Sequence, residues 1–69
     1  MSWGDLQFRL SMLEEVVGEL ERGGAGRPAE IARRLGRGWT EERVRAVLAE
    51  LFSGGVVGHN PDVGYWCIA

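Results

Sequence analysis

Lysine is absent from this chain of 69 residues, and cysteine occurs once, at Cys67. The first absence makes all eight basic side chains arginines. Two readings account for that: a planar guanidinium fork suits phosphate, and a GC-rich genome gives the same bias. The second absence excludes an internal disulfide and any zinc cluster of several cysteines, so the expected setting is reducing and cytoplasmic. Long apolar runs are missing as well. No stretch approaches the roughly 18 apolar residues that span a bilayer, and the opening MSWGDLQFRL lacks the basic-then-apolar form of an export signal. Neither export nor a membrane partner is expected. Histidine is also single, at His59. One histidine and one cysteine cannot assemble a nucleophile, a base and an orienting group, and no cofactor or metal site is expected.

What is present describes a folded domain. The chain is 45% hydrophobic and 26% charged, too apolar for a disordered segment. Its length fits one domain, residues 1–69, with one modest core. The net charge of -2 conceals a division along the chain. Residues 1–21 hold Asp5, Glu14, Glu15, Glu19 and Glu21 against Arg9 alone. Residues 22–45 hold Arg22, Arg27, Arg33, Arg34, Arg37, Arg43 and Arg45 against Glu30, Glu41 and Glu42, a local excess of positive charge.

Hydrophobic spacing supplies the elements. Leu6, Leu10, Leu13, Val17 and Leu20 predict one apolar face of a helix over about residues 6–21, with Asp5 as N-cap. A competing start is the capping-box pattern Ser11-Met-Leu-Glu14, which leaves Leu6, Phe8 and Leu10 to alternate as a short strand; the longer helix is the preferred reading. Gly23-Gly24-Ala25-Gly26 ends that helix. Pro28 suits the first turn of a second helix, which buries Ile31 and Leu35 and stops at Gly36. The third has Thr40 as N-cap, Glu41 and Glu42 in its first turn, and Trp39 placed to pack on Val44, so Trp39 is expected to be largely buried. Its core stripe is Val44, Val47, Leu48 and Leu51. After Ser53-Gly54-Gly55, two apolar segments, Val56-Val57 and Tyr65–Ile68, flank turn-forming residues 58–64 and predict a β-hairpin, with Cys67 as a small buried filler.

A short helix, a glycine-containing turn and a second helix form a helix-turn-helix, preceded here by a helix and followed by a hairpin. Ala29-Glu30-Ile31-Ala32-Arg33-Arg34-Leu35-Gly36, then Arg43 to Leu51, then Gly55-Val56-Val57, resemble the core of bacterial winged-helix DNA-binding proteins over about residues 6–69. Arg37-Gly38 resembles a two-residue insertion in the turn. The resemblance implies an α+β winged helix, with a three-helix helix-turn-helix core and a hairpin wing, that regulates transcription by docking its second and third helices and wing on double-stranded DNA. The short FeoC-like regulators are similar in length and helix order. Many of them bear a cysteine cluster in the wing, where this chain has only Cys67.

The outward face of the third helix centres on Glu42, Ala46 and Ala49, which leaves no arginine or asparagine at its middle to read a base edge. Phosphate contacts are therefore expected instead, from Arg33, Arg34, Arg37, Arg43 and Arg45, with Thr40 at the helix start and His59 in a solvated turn at the wing. Tyr65 and Trp66 read as hairpin and core residues rather than a base-stacking platform. The alternative is a winged helix used for contact with a protein partner, suggested by the acidic first helix and by Glu42. Phe8 and Met12, four residues apart, lie off the main apolar stripe, and with Trp3 they form a candidate homodimer contact under either reading.

Overall fold

The computed structural model describes the backbone of residues 3–69 and the side chains of residues 8–69. Three helices, α1 (Trp3–Gly23), α2 (Pro28–Leu35) and α3 (Glu41–Ser53), precede two strands, β1 (Val57–Asn60) and β2 (Tyr65–Ile68). None of the described helices is long and apolar enough to cross a membrane.

α1 is continuous from Trp3, so no strand occupies residues 6–10 and Asp5 lies inside the first turn rather than at the cap. Its buried face differs from the expected stripe. Val16 and Leu20 are fully buried, Leu13 and Val17 pack partly against the core, and Leu10 is 49% exposed. The side chain of Leu6 lies outside the described residues. Among the described side chains, the α1 residues that meet the core run from Met12 to Leu20, and Leu10 lies outside them.

The other two helices begin and end where their local chemistry directs. Pro28 opens α2, and Gly36 closes it with its N–H donating to the Ala32 carbonyl. Gly36 has φ 76° and ψ -133°, a conformation that side chains with a Cβ avoid. The Thr40 hydroxyl oxygen accepts from the Arg43 N–H at 3.1 Å and caps α3. Ile31 and Ala32 of α2, Val44, Val47, Leu48 and Leu51 of α3, and Val57 of β1 complete one core with Val16 and Leu20. Trp39 is half-buried against this core, less than expected, because it sits in the turn at the rim of the α2–α3 contact.

The strands pair antiparallel in the register Val57↔Ile68, Gly58↔Cys67, His59↔Trp66 and Asn60↔Tyr65. β1 runs further than the two valines predicted, and the connection shrinks to Pro61-Asp62-Val63-Gly64. Asn60 organises that turn: its side-chain oxygen accepts from the Asp62 N–H, and its carbonyl accepts from the Gly64 N–H at 2.8 Å. The hairpin is anchored on its other side by an isolated antiparallel bridge between Gly26 and Trp66. Cys67 is exposed, not buried, because β2 covers the core only around Trp66.

Candidate nucleic-acid interface

The wing, the start of α2 and one side of α3 enclose an open cleft of about 350 Å³ lined by Pro28, Arg45, Ala49, His59, Gly64 and Trp66. Each wall has a local cause. Arg45 and Ala49 are one helical turn apart and so share the flank of α3 that faces the hairpin. His59 and Trp66 are cross-strand partners, and their rings stack with centroids 4.2 Å apart at an interplanar angle of 19°. Phe52, 54% exposed, meets the indole in a T-shaped contact with centroids 5.9 Å apart. The Gly26 bridge then fixes the Trp66 backbone against the linker that leads into Pro28.

Arg27 holds the two walls together. Its Nε donates to the Val63 carbonyl at 3.0 Å, and its guanidinium lies 5.5 Å from the centre of the Tyr65 ring. Nothing in the residue pattern singled out this arginine, since its partner is a backbone carbonyl 36 residues away.

The expected phosphate-binding residues separate into three groups. Arg45 and His59 come together in the cleft. Arg34, Arg43 and Thr40 are engaged by the fold itself: Arg34 donates to the carbonyls of Gly24 at 3.2 Å and Ala25 at 3.4 Å, Arg43 donates to the Gly38 carbonyl at 3.0 Å, and Thr40 caps α3. Arg33 and Arg37 are exposed and make no side-chain hydrogen bond or ion pair among the described residues. Arg45 itself pairs with Glu41 at 2.6 Å, but both side chains are largely exposed, so the pair is weak and open to exchange with another anion.

The outward face of α3 is divided between two neighbours. Ala49 faces the cleft, whereas Ala46 lines a groove shared with Arg9, Met12 and Leu13 of α1, over which Arg9 pairs with Glu50. Trp66 is the site residue that residue patterns missed. Its strand and apolar character fitted a core position, and only the register opposite His59 places its ring in the cleft wall. Of the three candidate dimer residues, Phe8 is 59% exposed, Met12 packs partly against the core, and the side chain of Trp3 lies outside the described residues.

No protein-family model matches this chain, and no curated protein matches it in sequence. Among solved structures it is similar to the Zalpha domain from Carassius auratus PKZ, crystallised in complex with Z-DNA. The two share 18% identity at a TM-score of 0.80, over 88% of this chain and 97% of that one. Three helices followed by a two-stranded antiparallel hairpin, superposing over nearly the whole of that domain, make the fold of this chain an α+β winged helix.

Proposed function

We propose that this chain binds duplex DNA, with the cleft between α3, the start of α2 and the wing as the docking surface. The observation that carries the reading is the convergence of Arg45, His59 and Trp66, from three separate segments, on one concave face. In this reading Arg45 exchanges Glu41 for a phosphate oxygen, and the stacked His59–Trp66 wall packs against the sugar-phosphate edge. Ala49 keeps the floor low enough for close approach. Arg33 and Arg37 add phosphate contacts beyond the cleft. The resemblance of residues 29–36, 43–51 and 55–57 to bacterial winged-helix proteins supports DNA as the partner, as does the Z-DNA bound to the similar Zalpha domain. A module of this kind acts by occupying DNA rather than by changing it covalently, and we extend the reading to regulation of transcription.

Titration of fluorescently labelled duplex at rising salt tests it. Each neutralised phosphate contributes about 0.9 to the slope of log K against log salt, so replacing Arg33 and Arg45 with alanine should lower the slope by roughly two. Affinity for unrelated sequences should fall to a similar degree, since phosphate contacts position without reading bases. No binding by micromolar protein at about 50 mM salt would remove the proposal. A protein partner is the second reading, favoured by one observation: Glu41 neutralises Arg45 while Glu42 stands exposed beside it on α3.

A further inference from the structure

Arg27 is exposed, yet both its backbone and its side chain are held. The backbone is extended at the N-cap of α2, with φ -84° and ψ 157°, and its carbonyl accepts the Ile31 N–H at 2.9 Å. Gly26, just before it, is buried and exchanges two hydrogen bonds with Trp66. The side chain then reaches the wing, where Nε donates to the Val63 carbonyl and the guanidinium stands over the Tyr65 ring. A Cβ added to Gly64, which lines the cleft, would lie 4.0 Å from that Nε. Arg27 therefore borders the cleft at the end lined by Gly64 and by Pro28, its neighbour in sequence.

These contacts use one of the three guanidinium nitrogens. Nη1 and Nη2 make no hydrogen bond or ion pair among the described residues. The other arginines near the docking surface differ. Arg34 spends both terminal nitrogens on carbonyls, Arg43 spends one, and Arg45 has to release Glu41. Arg33 and Arg37 are open without being held. We propose that Arg27 is a phosphate-binding residue of the duplex-docking surface, with Nη1 and Nη2 donating to a backbone phosphate while Nε stays on Val63. Two parallel N–H groups match two phosphate oxygens, a geometry that lysine does not offer. A side chain already held in place loses little further freedom on binding. The inference rests on the cleft being the surface that meets duplex DNA, and it adds a contact from the linker between α1 and α2 to those from α3 and the wing.

Fluorescence titration of the full chain with two unrelated duplexes, repeated over a range of salt, tests it. Arg27→Gln removes the charge and keeps a donor for Val63. It should lower the slope of log K against log salt by about 0.9 and weaken both duplexes alike, by about tenfold. Arg27→Lys keeps the charge without the fork, so it should hold the wild-type slope at an intermediate affinity. Arg22→Gln removes the same charge from α1, outside the cleft, and should leave the slope near that of wild type. Urea midpoints of all three variants show whether each remains folded. An unchanged slope in folded Arg27→Gln would overturn the proposal, as would an equal fall in Arg22→Gln, which would mean a diffuse field rather than a contact. Full wild-type affinity in Arg27→Lys would overturn the paired-oxygen geometry. Absence of duplex binding by wild type is a separate result: it removes the docking surface itself, and Arg27 with it.

Discussion

Truncation of Trp66 to alanine probes how the wing is held. A fully buried aromatic side chain cut to alanine costs about 3–5 kcal/mol. Trp66 is half-buried, so roughly 2 kcal/mol of that applies. It also loses the stack on His59 and the edge contact with Phe52, each worth about 0.5–1.5 kcal/mol beyond burial. Allowing for overlap between these contributions, the expected loss is roughly 3 kcal/mol. For a domain of this length that lowers Tm by about 12–24 °C. Urea denaturation followed by circular dichroism measures it without relying on the tryptophan that has been removed. A double-mutant cycle with His59→Ala isolates the stack, with an expected coupling of about 0.5–1.5 kcal/mol. A loss below about 1 kcal/mol for Trp66→Ala, or zero coupling to His59, would show that the wing does not pack on the helices as described and that the cleft wall is not a fixed surface.

Two further substitutions test the core and the turn. Val16→Ala should cost about 2 kcal/mol, from the lost buried methyl groups and the cavity left behind, whereas Leu10→Ala should cost less than about 1 kcal/mol; the reverse order in urea midpoints would restore the stripe read from sequence. Gly36→Ala should cost about 1–3 kcal/mol through the backbone alone, since no atom lies within 4 Å of the added Cβ, and an unchanged melting temperature would refute the assigned conformation.

The second and third helices were legible because the signals that bound them are local. Pro28, Gly36 and Thr40 act within a few residues of themselves, and the Val44, Val47, Leu48 and Leu51 stripe is buried as its spacing implies. α1 was legible as a helix and in part of its buried face, since Leu13, Val17 and Leu20 meet the core as their spacing implies. Leu10 extends the 3,4 pattern yet is exposed, and Val16, outside that stripe, takes the central place. The hairpin was legible as a hairpin. Its register depended on the Asn60 turn, and that register decides whether His59 hangs in a loop or stacks on Trp66. The arginines were legible as a charged segment, but which of them hold turns and which are open depends on distant carbonyls such as those of Gly24, Gly38 and Val63. No spacing rule reports such partners.

The bridge between Gly26 and Trp66 bears on what keeps the cleft closed. Its two hydrogen bonds, 3.0 and 2.8 Å long, join positions 40 residues apart in a chain of 69. Such a contact rewards the chain only after the entropy of closing a long loop has been lost, a cost that the hairpin, closed by its own short turn, does not carry. The cleft between Pro28 and the wing is complete only while that bridge is closed. A ligand that grips α3 and the wing together binds only the closed form and lends its own binding free energy to that joint.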